Sequence, residues 1–315
     1  PSAYLPLSDV HSPIFGRVLA STGFAVGGGV LAHEGTDTDK LFAAAEELAL
    51  RKSVPSIELR GGALPSRREG WAIKTESHCG FVLPLAGDDE AQLLAIPRKQ
   101  RAEVRKGLDN PLTVEVGCGA ADRAAHYAVY AESVRNLGTP VFPRALFEAV
   151  LERFGEDADI LTVRHEGEPV ASVLSLYHRG AVMPYWGGGT RDARRLRAND
   201  RMYYELMLHA RARGCIDFDF GRSKTGSGAY HFKRNRGFEP EPLSYANWTA
   251  PGAAALALHR QHHLLRSALP GLRCAGPGST PGADPHGPQS ATAARSAVAR
   301  VGARAQHHAE ESRLR

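Results

Sequence analysis

Cysteine is scarce in this sequence. Cys79, Cys118, Cys215 and Cys274 are the only four in 315 residues, they stand far apart, and none belongs to a CxxC pair. That excludes a disulfide scaffold and a cysteine-built zinc site, so no metal is expected, and it fits reduced thiols in a cytoplasm. Long apolar runs are missing too: nothing approaches the roughly 18–20 residues a membrane helix needs, so no membrane insertion is expected. The chain opens at Pro1 with no Met, no basic segment and no apolar segment behind it. The reading is a cytoplasmic chain without a signal peptide, whose start is a cut. A charge excess is absent where it would matter. The formal net charge is +5, but residues 251–315 hold eight Arg against three acids, while residues 1–250 hold 31 cations and 31 anions. A global basic field for gripping DNA is therefore excluded for the folded part. Local basic runs remain, at Arg98, Lys99, Arg101, Arg105 and Lys106.

Nucleophile motifs are lacking as well. There is no GxSxG elbow, no cysteine in a family signature with a histidine, and no G-x-x-x-x-G-K-[ST] phosphate loop. What is present is ordinary globular material, 43% hydrophobic and 23% charged, long enough for two domains.

Residues 4–31 read as strands and loops, with the triple glycine 27–29 near a strand end. Leu41, Phe42, Ala45, Leu48 and Ala49 give a helix over 39–51 its apolar face. Strands are predicted at 56–60, 80–85 and 112–117, and one or two helices over 88–108, broken near Pro97. A second unit opens near 119. Two helices stop at Gly138 and Gly155; then strands at 160–164, 170–178 and 182–188 are joined by short turns. A helix follows, capped by Asn199 or Asp200, with Tyr203, Leu206, Met207 and Ala210 on its face and Gly214 at its end. Then come a strand at 216–221, a short helix near 229–236 and a proline-marked edge strand at 238–245. Short turns make the first three strands antiparallel, and the strand-helix-strand step makes the last pair parallel. From Pro270 to Pro288 ten of nineteen residues are Gly or Pro; a disordered tail and an out-of-frame translation both fit residues 250–315.

The segments "YAESVRNLGTPVFPRALFEAVLERFG", "YWGGGT", "NDRMYYELM" and "FDFGRSKTGSGAYHFKRNRGFEPEPLSY" carry a resemblance. Over roughly residues 4–245 the chain resembles the FemAB family, and more narrowly the FemAB-like proteins associated with exosortase/PEP-CTERM systems, which are BioF2-like, GNAT-type acyltransferases. The resemblance implies an α/β (α+β) fold of tandem GNAT-like halves with mixed central sheets, the first half shortened at its N-terminus. Domains are expected at 1–118 and 119–249, with a tail at 250–315. Arg236 stands where the family pattern often has an aromatic residue.

The implied activity is acyl or aminoacyl transfer to an amine of a cell-envelope or exopolysaccharide precursor, by direct attack and without a covalent enzyme intermediate. An acyl-CoA N-acetyltransferase and an inactive module holding an anionic precursor are the alternatives. No permanently bound cofactor is expected; the acyl donor, aminoacyl-tRNA or acyl-CoA, is a co-substrate. An acyl-CoA enzyme would carry a compact [QR]-x-x-G-x-[GA] loop for pyrophosphate, and "RDARRLRAND" (191–200) lacks it. Arg191, Arg194, Arg195 and Arg197 there can meet tRNA phosphates or simply face water. The resemblance places the donor carbonyl near a gap between the strands of "VMPYWGG" and "IDFDFG".

Candidate residues follow from chemistry. Gly187, Gly188 and Gly189 let backbone approach a ligand, or form a tight turn. Of Tyr185 and Trp186, one lines the gap and the other packs in the core. Asp219 can take a proton from an ammonium or sit in a salt bridge with Arg222 or Lys233. Arg222, Ser223 and Lys224, with Gly226 and Gly228 beside them, read as an anion-holding loop. The expected set is Asp219 and Lys224 as catalytic, with Tyr185, Gly188, Arg222, Ser223, Tyr230, Lys233 and Arg60 binding substrate. His231 is a possible base or a structural histidine. Glu58 and Arg60 share the polar face of their strand.

Overall fold

The computed structural model describes residues 2–12, 16–23, 26–65 and 68–253; the tail expected beyond them lies outside the described residues. In chain order the elements are β1 (Ala3–Tyr4), β2 (Ser8–Ser12), β3 (Gly16–Ala20), β4 (Leu31–Ala32), α1 (Asp39–Arg51), β5 (Ser56–Leu59), β6 (Trp71–Pro84), α2 (Asp89–Ala95), α3 (Arg98–Asp109) and β7 (Leu112–Gly117). Then follow α4 (Ala120–Asn136), α5 (Arg144–Phe154), β8 (Ala158–His165), β9 (Glu168–His178), β10 (Ala181–Gly189), α6 (Arg191–Arg195), α7 (Ala198–Ala212), β11 (Asp217–Lys224), α8 (Gly228–Arg234) and β12 (Glu241–Thr249). Two compact units share them. The first takes the chain up to Gly80, Arg222–His231 and the residues from Pro240; the second takes Phe81–Gly221 and Phe232–Glu239. A boundary expected at 118/119 thus falls inside the second unit, and both units are discontinuous. The cause is that β6 and β11 each run on from one unit into the other, which no Gly, Pro or composition shift announces.

In the first unit the strand order is β2-β3-β5-β12-β6. β3 and β5 are parallel, joined through α1, and the remaining neighbours are antiparallel. α1 forms where expected because Asp39 and Arg51 complement its dipole and its apolar residues repeat on one face. Phe42, Ala45 and Ala49 are buried against Leu19, Val54, Ile57, Leu59, Ala246 and Trp248. Gly29 is obligatory: at φ 113°, a Cβ there would lie 1.8 Å from the Gly61 carbonyl oxygen. Two expectations are corrected. β6 begins at Trp71, nine residues before the strand expected at 80–85, because Ala72–Glu76 is exposed throughout, Ile73 included, and offers no apolar alternation. β12 is no simple edge strand: Ala246–Thr249 pair with β5 while Glu241–Trp248 pair with β6. Pro242 nevertheless obeys its chemistry, since it lies in the part of β12 paired on one side only.

The second unit has the order β11-β10-β9-β8-β7. β7 to β10 are antiparallel neighbours and β10 pairs β11 parallel, as the sequence predicts. The two hairpin turns are two residues each, Glu166-Gly167 (φ 51° and 84°) and Arg179-Gly180 (φ 47° and 76°). Positive φ at both positions is the type I′ geometry that matches strand twist. β9 is buried from Val170 to Tyr177 because helices cover both faces. On one face α5 packs Leu146, Phe147, Val150 and Leu151 on Ile160, Leu174, Leu176 and Trp186. On the other, His209 of α7 reaches Asp159 at 2.8 Å, with the Tyr177 hydroxyl donating to the same carboxylate. Asn199 and Asp200 do not cap α7. Its N-cap is Arg197, in the left-handed region at φ 56°, and both residues lie within the first turn.

Candidate active site

The second unit contains a gap built from backbone. β10 and β11 pair only at Ala181↔Asp217 and Val182↔Phe218. Beyond Val182 the β11-facing side of β10 has no strand partner among the described residues. Within that stretch the β10–β9 register slips between Pro184 and Trp186, a bulge with Tyr185 as its extra residue. The bulge breaks the simple alternation expected here. Trp186 is buried in the α5-facing core, and half-buried Tyr185 packs against the same cluster, their rings 5.0 Å apart.

Tyr203 of α7 stands at this gap. Its hydroxyl lies 3.0 Å from where a Cβ on Gly187 would be, and its ring meets Phe220 of β11 edge-on at 4.8 Å. Burial pushes its phenol up to about 12, so it keeps its proton through the neutral range. The sequence offered Tyr203 only as a member of an apolar helix face; nothing in that pattern marks a tyrosine at a strand gap.

The three glycines of β10 serve close packing by the protein itself. A Cβ on Gly188 would fall 2.3 Å from Ser133 Oγ of α4; one on Gly189 would fall 2.5 Å from Ala193 Cβ of α6. On the side where a Cβ would stand, Gly188 and Gly189 make room for α4 and α6. Just past them, the first backbone amide of α6, on Arg191, donates to the Glu132 carboxylate of α4 at 3.0 Å. A carboxylate thereby sits where a pyrophosphate oxygen would need that amide. At the start of α7, Asp200 pairs with Arg236 and accepts from Gln100 Nε2 at 2.6 Å. Burial raises the Asp200 carboxyl and lowers the Arg236 guanidinium, each opposed by the partner's charge. Arg236 also lies over the Phe232 ring at 3.4 Å, which is how an arginine is held at this buried position.

A parallel strand pair that opens after two residues, bulged on one side, is GNAT geometry. Residues 97–234 match the family model described as acetyltransferase (GNAT) domain. The match runs from the start of α3 to the end of α8. Among solved structures the chain is similar to FemX (TM-score 0.58, 14% identity, 76% of this chain and 83% of that one). It is also similar to the C-terminal DUF2156 domain of a putative lysylphosphatidylglycerol synthetase from Agrobacterium fabrum (0.57, 14%, 85% and 86%). L-PGS from Bacillus licheniformis is similar too (0.52, 16%, 86% and 87%). These likenesses are of fold. No curated protein matches by sequence. The chain carries an acyltransferase fold of the GNAT type, as expected.

The GNAT frame places the other expected residues as follows. Asp219 of β11 accepts from the Gly221 amide at 2.8 Å, a local bond that orients its carboxylate. Lys233 is buried; its ammonium donates to the Phe220 carbonyl at 2.6 Å and lies over the Phe81 and Phe220 rings. In the first unit, Arg222, Ser223 and Lys224 belong to β11 itself, so the expected loop shrinks to Thr225–Ser227. The pairing of β6 with β12 slips between His78 and Lys74, a bulge in β6; Thr225 grips it, donating its hydroxyl to the Glu76 carbonyl (2.6 Å) and its amide to the Ser77 carbonyl (3.1 Å), and so the strand continues. Arg222 Nη1 donates to the Tyr245 hydroxyl at 2.7 Å, and the Tyr245 ring stacks on His78 at 5.1 Å. Ser223 is buried, with no hydrogen-bond partner for its hydroxyl among the described residues. Lys224 and His231 are exposed, while Tyr230 is half-buried with its amide on Ser227 Oγ. Arg60, the residue after β5, pairs its Nε with Glu58 of that strand at 2.5 Å. Among the described residues no cluster of His, Cys, Asp or Glu can hold a metal ion, and no helix is long and apolar enough to cross a membrane.

Proposed function

We propose that the chain transfers an aminoacyl group from an ester donor to an amine on a cell-envelope or exopolysaccharide precursor, in the cytoplasm, as the resemblance to exosortase-associated FemAB-like proteins implies. The observation carrying this reading is the opened β10–β11 pair with Tyr203 at the opening. The donor carbonyl sits against the unpaired side of β10 beyond Val182. The acceptor amine attacks the carbonyl carbon, the ester C–O bond breaks, and no enzyme acyl intermediate forms. Asp219, held by the Gly221 amide, takes a proton from the acceptor ammonium, and the free amine then attacks. Tyr203, neutral at physiological pH, gives its phenol proton to the departing oxygen and takes back the second proton that the new amide nitrogen loses. Arg222 and Lys224 hold an anionic group of the acceptor, with Ser223, Tyr230 and Arg60 as further substrate contacts.

Glu132 on the first amide of α6 favours an ester donor such as aminoacyl-tRNA over a CoA thioester, because a second anion at that amide would be repelled. The family-model match to an acetyltransferase domain favours the second reading: GNAT domains use acyl-CoA as co-substrate. Thermal stabilisation of the full chain by acetyl-CoA, long-chain acyl-CoA, charged tRNA and UDP-linked precursors separates the two. At a hundred times Kd a ligand adds about 2.7 kcal/mol, a visible shift. A shift with acetyl-CoA and none with charged tRNA sinks the ester-donor reading.

A further inference from the structure

The second unit carries a one-sided cationic surface that the transfer chemistry does not use. α3 presents Arg98, Lys99, Arg105 and Lys106 on its exposed stripe, and α6 presents Arg191, Arg194 and Arg195. The two helices adjoin. Asn110 after α3 donates to the Leu196 carbonyl at 2.8 Å, Arg197 pairs with Glu103 at 2.6 Å, and a Cβ on Gly107 would lie 2.9 Å from the Arg197 carbonyl oxygen. Glu103 is half-buried between Arg197 and Lys106, which leaves Asp109, at the end of α3, as the exposed acid of that helix. Residues 89–109 and 190–201 hold ten cations and six acids, a net of +4. Residues 1–250 as a whole balance at zero, so the rest of that stretch is net acidic and the field is directional.

We infer that this surface docks on an anionic lipid bilayer. Three observations choose a membrane over a nucleic acid. The cations stand on exposed helix stripes. Residues 89–109 and 190–201 contain no Phe, Tyr or Trp on which unpaired bases would stack. Leu94 is 51% exposed, and Pro97 is exposed beside it, immediately before Arg98, so an apolar tip accompanies the charge. No described helix is long and apolar enough to span a bilayer; a peripheral contact of this kind brings the chain to an envelope precursor held at the membrane. That purpose rests on the proposed function, but the docking is measured without turnover, so the two fail separately.

The test is co-sedimentation of the full chain with vesicles of phosphatidylcholine containing 30% phosphatidylglycerol, against pure phosphatidylcholine, with uncharged tRNA as competitor. The expected result is binding to the anionic vesicles only, lost in about 0.5 M salt as the Debye length falls below the contact distance. The triple variant Arg98→Glu, Lys99→Glu, Arg105→Glu lowers the partition coefficient at least 30-fold with an unchanged melting curve. If that variant melts early, Arg191→Glu with Arg194→Glu takes its place. Equal binding to both vesicles, binding untouched by either variant, or tRNA bound while anionic vesicles are not, each overturns the proposal.

Discussion

Replacing Gly188 by alanine puts a methyl group 2.3 Å from Ser133 Oγ and 2.6 Å from Ser133 Cβ. The second distance decides the matter. A hydroxyl can rotate away, but the Ser133 Cβ is fixed to the α4 backbone, so α4 or β10 must move. Forced insertion of one methyl into such packing costs about 1–3 kcal/mol. For a chain of this size each kcal/mol lowers Tm by about 2–4 °C. Ser133→Gly removes both clashing atoms at a cost of about 0.5 kcal/mol of helix propensity. The double variant should therefore recover most of the Gly188→Ala loss, with a coupling of at least 1 kcal/mol in a double-mutant cycle read by urea denaturation. If Gly188 instead faces a ligand, Gly188→Ala leaves the melting curve alone, raises KM, and is untouched by Ser133→Gly. Additive stabilities in the cycle would refute the packing argument.

His126 is buried with its Nδ1 on Ser172 Oγ at 3.0 Å, and burial takes its pKa down to about 4. The unfolded chain then binds a proton that the folded chain refuses, so its contribution to stability is complete above about 6.5 and lost as pH falls towards 4. That is about 3 kcal/mol, and a Tm–pH profile of His126→Phe should be flatter over this window than that of the parent. Lys233→Met keeps the volume and removes the donor to the Phe220 carbonyl, which should cost about 1.5–3 kcal/mol by urea denaturation. An unchanged midpoint would return Lys233 to the substrate-binding set. Arg236→Ala leaves the Asp200 carboxylate buried and unpaired and should cost about 3–5 kcal/mol, whereas joint replacement by apolar residues should cost less. Tyr203→Phe should lower acyl transfer at least tenfold while Tm stays within a degree; unchanged turnover would remove Tyr203 from the mechanism.

Much of the second unit is legible because its signals are local. Glu166-Gly167 and Arg179-Gly180 fix the hairpins, Pro97 divides α2 from α3, and Gly138, Gly155 and Gly214 end helices. The parallel β10–β11 pair follows from the helix between its strands. What the sequence hides is contact at a distance. Ser133 meeting Gly188, Glu132 meeting the Arg191 amide, and Tyr203 reaching the β10 gap join residues far apart in the chain through side chains with no special spacing. β6 hides for another reason: Ala72–Lys74 pair by backbone with β12 while their side chains are exposed, so hydropathy does not register the strand. Arg222 and Lys224 read as loop because Gly221 precedes them, yet Thr225 fastens the chain to β6 and keeps it extended.

The two-residue turns that close β8, β9 and β10 also set an order of events. Three central strands form from pairings that each close a loop of two residues, so their entropy cost is met locally before any helix docks. In kinetic terms the meander is a ready nucleus. Changes at Gly167 or Gly180 should slow folding, whereas changes in α4, α5 or α7, which add their contacts later, should chiefly speed unfolding.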